Sequence, residues 1–366
     1  MRYFLFLGLL FHFIELGGQN NLSLNLQTSA GFEHNVFNRS GDAELRNSPF
    51  IQNKFKLSWK RKFNDSSFST YVKGRHEVFH LINTANLRNL SLYSSYRKNL
   101  GRKVYFFIKA TVWLNDSNRT MEDAEFNLTT TSYNKWNTRF GLTTRVIKQH
   151  KTSVSMYVAD KNYTSEEARF HKYRELGFKL QNRLKLRKNK TLSQYLNSEF
   201  RIYQRRYQEN ITGNYKGSDT ADMDARIFRF MELRLSYHVK IKRRFGLSPS
   251  FLFRKRTDVI ENRFSYTHWE PRMEFSGMIG KLELSLRLSQ GWRTFNNIFS
   301  ETQTTRQLQL EYLKLNCLIS YQINNSIEIK LNGHWQQRKR NVFDPSSSFY
   351  MPFINWNGTI GVCYIF

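Results

Sequence analysis

Residues 22–32 read LSLNLQTSAGF, and apolar side chains alternate with polar ones along this stretch. Leucine stands at positions 22, 24 and 26, and serine, asparagine and glutamine follow each leucine in turn. In an extended strand successive side chains point to opposite faces, so a period of two separates an apolar face from a polar one. The stretch therefore predicts a β-strand with one apolar side and one polar side.

The same period of two recurs through the rest of the chain. Further copies begin at Phe55, Val104, Leu176, Met231, Leu282 and Ile327, and a last copy runs from Ile360 to Phe366. The runs reach about ten residues, the length that a tilted strand needs to cross a bilayer, whereas strands in soluble sandwiches are usually nearer five or six. We therefore expect one domain built on a single sheet that crosses a membrane. A soluble β-sandwich or β-solenoid is the less favoured alternative.

The connections between these runs are of two kinds, and the two kinds alternate. Long polar connections are predicted at 38–50, 81–89, 115–123, 149–168, 207–225, 255–262, 294–304 and 337–348. Short turns are predicted near 64–66, 99–102, 134–137, 187–190, 241–244, 278–280 and 322–325. This alternation is typical of a barrel with long extracellular loops and short periplasmic turns.

The loop count predicts an all-β fold: a single antiparallel transmembrane β-barrel of about sixteen strands over residues 19–366. An even number places both termini on the periplasmic side. The region 138–168 is ambiguous, because Val154, Met156 and Val158 form either a separate strand or the protruding end of the strand that begins at Phe140. We favour the second interpretation because it keeps the count even, and fourteen or eighteen strands stay open.

Residues 1–18 precede the first alternating run. They contain one basic residue, Arg2, an apolar run from Tyr3 to Ile14, and small residues at Gly17 and Gly18. This order resembles a secretory signal peptide, and we expect cleavage near Gly18 and export of the remainder. A buried N-terminal strand is the alternative. Beyond this segment no stretch approaches the roughly 18 uninterrupted apolar residues of a spanning helix.

The chain ends TIGVCYIF, residues 359–366. Thr359, Gly361, Tyr364 and Phe366 match the polar, glycine, aromatic, aromatic spacing of the C-terminal β-signal, and the chain thereby resembles Gram-negative outer-membrane β-barrel proteins of the porin-like superfamily. The resemblance implies an outer-membrane location, with membrane lipid and the barrel assembly machinery as partners. It also implies that these four residues form the assembly signal. Independently, the rings of Tyr364 and Phe366 suit a membrane interface.

Basic residues dominate the charge: 57 Lys and Arg face 29 Asp and Glu, which gives a net charge of +28. Many of them fall on the polar face of the predicted strands, and we expect the following to line the lumen: Lys54, Lys56, Lys60, Lys109, Lys179, Arg183, Arg201, Arg234, Arg287 and Lys330. Others cluster at the short turns, while many acids fall in the long loops. The distribution predicts attraction of anionic solutes or of an anionic periplasmic partner, and a solvated basic surface is the alternative.

Four basic residues fall on the apolar face: Arg61, Lys172, Arg174 and Arg229. Each lies near a predicted strand end, where a long side chain can reach the interface. Aromatic residues interleaved with Lys and Arg are also found on single-strand nucleic-acid surfaces, but strand alternation already accounts for the interleaving here. We therefore expect no nucleic-acid partner.

The sequence contains no recognisable catalytic, cofactor-binding or metal-ligating constellation. The candidate histidines are His150, His171, His268 and His334, and none lies in the settings typical of barrel lipases or proteases. Cys317 and Cys363 both fall inside predicted strands, which indicates neither a disulfide framework nor a metal site. We expect no cofactor and no enzymatic activity.

A barrel of about sixteen strands is wide enough to leave a water-filled lumen. We therefore expect a porin-like channel for small solutes, preferably anions. The alternative is an occluded barrel that serves as a surface interaction or assembly protein, since five large aromatic residues are predicted to point inward: Tyr105, Phe107, Trp113, Phe228 and Phe230. An outer-membrane hydrolase is a third, less favoured, interpretation.

Overall fold

The computed structural model describes residues 19–34, 47–82, 85–117, 121–123, 126–128, 132–145, 147, 149–164, 172–189, 191–207, 226–242, 244–260, 264–299, 307–341 and 353–366. The predicted signal peptide at residues 1–18 lies outside this described part. Across the described ranges, no helix has both the length and the apolarity required to span a membrane.

The strands of the described part follow one another along the chain. They are β1 (Gln19–His34), β2 (Ser48–Lys62), β3 (Ser66–Phe79), β4 (Leu87–Asn99), β5 (Val104–Ser117), β6 (Met121–Asp123), β7 (Phe126–Leu128), β8 (Tyr133–Thr144), β9 (His150–Tyr163), β10 (Tyr173–Lys188), β11 (Leu192–Tyr207), β12 (Ile227–Ile241), β13 (Phe245–Asp258), β14 (Tyr266–Ile279), β15 (Leu282–Phe299), β16 (Gln307–Gln322), β17 (Ile327–Arg340) and β18 (Phe353–Ile365). Sixteen of them form a closed antiparallel barrel, while β6 and β7 pair only with each other. The predicted fold class is confirmed.

The alternation of the sequence decides which face of each strand points outward. On β15, Leu282, Leu286 and Leu288 are 40%, 40% and 47% exposed, whereas Ser289 and Arg293 on the opposite face are buried. The same division runs around the barrel, so apolar side chains cover the outside, and polar side chains together with buried aromatic clusters occupy the inside. A surface of this kind is stable in the hydrocarbon of a membrane.

The barrel closes where β18 pairs with β1 along ten residue pairs, from Asn25 opposite Ile365 to His34 opposite Trp356. The backbone N–H of Phe366 donates to the carbonyl of Leu24 at 2.8 Å, and that of Leu24 donates to the carbonyl of Phe366 at 3.1 Å. Closure leaves neither edge strand unpaired, which a sheet in lipid requires.

Short turns occupy one end of the barrel and long connections the other. The turn between β14 and β15 is only residues 280–281, and Gly280 adopts a left-handed conformation with φ of 61°. Such a backbone suits glycine, which has no Cβ to clash. The strand ends that longer segments join, such as Tyr207 of β11 and Ile227 of β12, lie at the opposite end. The predicted alternation of long loops and short turns is confirmed.

Two local predictions were wrong. Residues 134–137 form no turn, because they belong to β8, which ends at Thr144. β9 begins at His150 and is a strand of its own, although 149–168 had been predicted as a loop and Val154, Met156 and Val158 had been assigned to the protruding end of the strand that begins at Phe140. The small β6–β7 hairpin lies in the connection between β5 and β8. The two errors compensate, so the count of sixteen holds. The cause is that Asn134 and Asn137 resemble turn residues, although here they lie within one strand.

Tryptophans mark the outward face near the long-loop end. Trp335 lies directly opposite Trp356, and Trp269 lies opposite Trp292. Indole rings are enriched where lipid meets water, so these residues indicate one membrane boundary. Of the charged exceptions on the outward face, Arg61, Arg174 and Arg229 lie within three residues of a strand end, and Lys172 immediately precedes β10.

Replacing Leu286 by Arg tests the outward assignment. A charge near the middle of the lipid-facing band should lower the free energy of unfolding by about 2–4 kcal/mol. The matched control is Ser285→Arg, one residue away on the inward face, which should cost much less. Chemical unfolding in lipid vesicles measures both, and equal losses would contradict the assignment.

Candidate functional site

A large cavity lined by described residues lies in the lumen, toward the short-turn end. Its volume is about 530 Å³, and side chains from β3, β4, β5 and β8 to β12 line it. Six of the described lining residues are basic and one, Glu199, is acidic; the basic ones are Arg97, Lys109, Arg139, Lys151, Arg183 and Arg234. Serine, asparagine and glutamine supply most of the remaining wall. We refer to this space as the lumen cavity.

An ion-pair network crosses the wall beside the lumen cavity. Lys179 contacts Glu199 at 2.8 Å, Arg201 reaches Glu199 at 2.9 Å and Glu232 at 3.4 Å, and Arg254 contacts Glu232 at 2.6 Å. These residues lie on four adjacent strands, β10 to β13, whose register brings inward-facing positions side by side. The network neutralises several cations of the lumen wall, and it holds four strands together.

The half of the lumen nearer the long loops contains buried aromatic side chains. One cluster consists of Tyr157, Tyr173, Tyr203, Tyr207, Phe228 and Phe230, and a second consists of Tyr266, Phe295, Leu308, Leu310 and Tyr312. Arg256 joins them: it is fully buried, and its guanidinium lies 4.6 Å from the ring centre of Phe228 and 4.4 Å from that of Tyr266. Guanidinium groups stack favourably on aromatic faces. This half of the lumen is therefore narrowed by packed side chains.

The residues expected to line the lumen divide into three groups. Lys109, Arg183 and Arg234 line the lumen cavity. Lys179, Arg201, Arg287 and Lys330 are ion-paired, the last two with Glu274 and Glu328 at 2.9 Å each. Lys54, Lys56 and Lys60 occupy alternate positions of β2; Lys60 lies opposite Ser69, a residue of the cavity wall, and the Lys56 ammonium lies 5.1 Å from the Tyr71 ring centre.

Several site residues were absent from the sequence-based set. Arg139 and Lys151 line the lumen cavity, yet 134–137 had been assigned to a turn and 149–168 to a loop, so the inward positions of β8 and β9 were misplaced. Arg97 lies just before the turn predicted at 99–102 and was not included among the expected lumen residues. The parity of Val154 and Met156, both exposed on the outward face, is the signal that identifies β9 as a strand.

The five inward aromatic residues lie in different settings. Tyr105 and Phe107 line the lumen cavity, and Phe228 and Phe230 are buried in the first aromatic cluster. The Lys135 ammonium lies 5.7 Å from the ring centre of Trp113.

Four described histidines, His150, His238, His268 and His334, contact polar side chains of the barrel. His334 lies 2.8 Å from the Asn316 side chain, and His268 lies 3.4 Å from Glu270. His150 lies 3.4 Å from Thr152, and His171 falls outside the described residues. His238 contacts hydroxyls of Ser248 and Ser236 through its two ring nitrogens, so a carboxylate does not orient this ring. No group of three potential metal ligands occurs among the residues that the structure describes.

The four residues of the predicted assembly signal lie on or directly after β18. Tyr364 and Phe366 face outward at the short-turn end and are 44% and 70% exposed. Thr359 accepts a hydrogen bond from Asn332 at 3.2 Å. A Cβ added at Gly361 would collide with Ser29 and with the carbonyl oxygen of Thr28 on β1, so glycine allows the close approach of the first and last strands.

Comparison with known proteins places the fold. No protein-family model matches the sequence, and no curated protein matches it. Among solved structures, OccAB1 from Acinetobacter baumannii is 8% identical with a TM-score of 0.53, covering 95% of this chain and 96% of that chain. OpdQ from Pseudomonas aeruginosa is 11% identical with a TM-score of 0.51, covering 95% and 98%.

A third similarity is partial. CdiB from Acinetobacter baumannii is 11% identical with a TM-score of 0.48; 93% of this chain is covered, and it spans 60% of that chain. At these identities the similarities show the fold alone. This chain shares the closed β-barrel fold of OccAB1 and OpdQ, as its sequence predicted.

Replacing Glu232 by Gln tests the ion-pair network. Glu232 is buried and accepts hydrogen bonds from Arg254 and Tyr203, so its loss should lower the free energy of unfolding by about 2 kcal/mol. The matched control is Glu274→Gln, which breaks the exposed pair with Arg287 and should cost less than about 1 kcal/mol. Chemical unfolding in detergent compares the two, and equal costs would refute a stabilising network.

Replacing Gly361 by Ala tests the seam between β1 and β18. The added Cβ overpacks the seam, so about 1–3 kcal/mol of stability should be lost. Gly358→Ala is the control, because a Cβ there meets only the Asn332 carbonyl oxygen at 4.0 Å. The yield of folded barrel after refolding, followed by gel mobility without heating, distinguishes them. An unaffected Gly361→Ala barrel would contradict the close approach.

Proposed function

We propose that this chain is a porin-like outer-membrane channel that passes small solutes and favours anions. The observation that carries the proposal is the lumen cavity, whose described charged lining is six basic side chains and one acidic side chain. A confined space with walls of one sign concentrates counter-ions and repels ions of the same sign. Chloride and small organic anions would therefore enter more readily than potassium.

The cations of the lumen wall do not contribute equally to this preference. Lys179 and Arg201 are paired with Glu199 and Glu232, so their fields are largely cancelled. Lys109 and Arg139 form no ion pair among the described residues, and both lie near the ring of Phe107, at 5.3 and 5.8 Å from its centre. These two residues would supply much of the selectivity.

The orientation of the barrel follows from its even strand number, which puts both termini at the short-turn end and, in this class of barrel, in the periplasm. The basic cavity would then lie nearer the periplasm. It would draw anions through the lumen, or it would attract an anionic periplasmic partner. The signal peptide predicted at 1–18 would direct export, and the β18 signal would recruit the barrel assembly machinery.

An occluded barrel acting as a surface interaction or assembly protein is the second candidate. The observation that favours it is the packing of the long-loop half of the lumen, where Phe228 is fully buried, Phe230 is 3% exposed and Arg256 fills the space between rings. Packed side chains obstruct solute flow. The two candidates differ in a single measurable quantity, the ionic conductance.

Planar-bilayer recording in a potassium chloride gradient tests the proposal. We expect steady conductance with a reversal potential that reports chloride preference. The double variant Lys109→Gln and Arg139→Gln should reduce the chloride-to-potassium permeability ratio at least about twofold, since it removes part of the lumen field.

Arg174→Gln with Arg229→Gln is the matched control, because it removes the same charge from the outward face and should leave the ratio unchanged. Absence of conductance would refute the channel and favour the occluded barrel. A preference for cations would refute anion selectivity.

A further inference from the structure

A second pocket, of about 320 Å³, lies at the short-turn end of β8 to β11. Five charged residues line it, and all five are basic: Arg145, Lys151, Arg183, Lys185 and Lys188. Gln149, His150 and Tyr195 complete the described lining. We refer to it as the short-turn pocket.

The cations of the short-turn pocket differ from the ion-paired cations elsewhere in the lumen. Lys179, Arg201 and Arg254 each lie within 3.0 Å of a carboxylate, and Arg287 and Lys330 do so on the other side of the barrel. None of the five pocket cations takes part in an ion pair with any described residue. The pocket is therefore a local concentration of positive charge without a protein counter-charge.

A β-bulge helps to build this concentration. Lys185 pairs with Tyr195, but Arg187 pairs with Gln194, so Leu186 is an extra residue and the register shifts. Without the shift Arg187 would face inward; with it, Lys188 lies opposite Ser193 on the inward face, and Arg187 lies opposite Gln194 on the outward one. Bulges re-aim side chains in this way beside functional sites. The bulge thus adds Lys188 to Arg183 and Lys185.

Like charges lie directly opposite one another in this wall. Arg183 pairs with Lys151 across β10 and β9, an arrangement that is unfavourable unless an anion separates the charges. The Arg183 guanidinium is held against Tyr195, 4.2 Å from its ring centre. Arginine can bind an oxyanion through two parallel hydrogen bonds, and lysine adds mobile point charges.

We propose that the short-turn pocket binds a multiply charged phosphoryl group, carried by phosphate, pyrophosphate or a phosphorylated solute. Such a group bears about −1.5 to −2 charges near pH 7 and three acceptor oxygens, which matches several converging donors better than a single carboxylate does. The inference deepens the proposed function and rests on its anion preference, because it names the class of anion that the same basic lumen recognises.

Isothermal titration of the full-length barrel in non-ionic detergent tests the site with pyrophosphate as the probe. The wild type should bind it, and Lys188→Gln should weaken the binding about tenfold or more, since a charge-assisted hydrogen bond is lost. Arg187→Gln is the matched control: the neighbouring residue has the same charge but faces the other side of the sheet, and binding should be unchanged. Heat-dependent gel mobility confirms that each variant is folded.

The outcomes separate the sources of the ligand. Pyrophosphate binding without any phospholipid assigns a free phosphorylated solute. If the barrel binds only phosphatidic acid micelles, the phosphoryl site is supported and its ligand is a lipid headgroup. Equal losses in Lys188→Gln and Arg187→Gln, equally tight binding of citrate, or no binding of either probe would overturn the proposal.

The titration also separates this site from the channel. If the barrel binds pyrophosphate but shows no conductance, the proposed phosphoryl site is supported and the porin function is refuted. If the barrel conducts ions but binds no phosphoryl probe, the proposed phosphoryl site is refuted and the porin function is supported.

Discussion

Within the hydrocarbon of a membrane no water is present to satisfy backbone N–H and C=O groups, so each needs a partner within the protein. The chain meets this constraint by pairing sixteen strands in a ring in which β18 returns to β1. Closure in turn forces one face of every strand into a confined interior. The apolar outward surface, the crowded polar lumen and the pairing of its charges all follow from that single requirement.

The interior is divided along the barrel axis by how its cations are neutralised. Toward the long loops, arginine side chains such as Arg256 stack on aromatic rings and are buried among them. In the middle, Glu199 and Glu232 pair with the surrounding cations. Toward the short turns, Lys185 and Lys188 have no acidic partner among the described residues. A solute that moves along the lumen would therefore meet packing at one end and uncompensated charge at the other.

Much of this architecture was predictable from period-two alternation, because the same pattern that forms a strand also decides which residues face the lumen. On that basis Lys109, Arg183 and Arg234 were assigned to the polar face, and all three lie in the wall of the lumen cavity. The position of the turn at 145–149 was not predictable, since Asn134 and Asn137 have turn-like side chains within a strand. The inward position of Lys188 depends on a bulge, which reverses parity after Lys185 and leaves no clear mark in the sequence. The ion pair of Arg201 with Glu232 depends on the register between β11 and β12, which the sequence alone does not reveal.

The seam between the first and last strands sets the order in which this molecule can be completed. Asn25 and Cys363 are 338 positions apart and lie in contact, so β18 must be synthesised before the ring can exist. Until that moment β1 carries an exposed row of hydrogen-bonding groups that any other extended segment could capture. A chain without β18 would lose the closed barrel as a whole, and not merely one of its sixteen strands. Transit from ribosome to membrane is thus the period in which this protein is most exposed to aggregation.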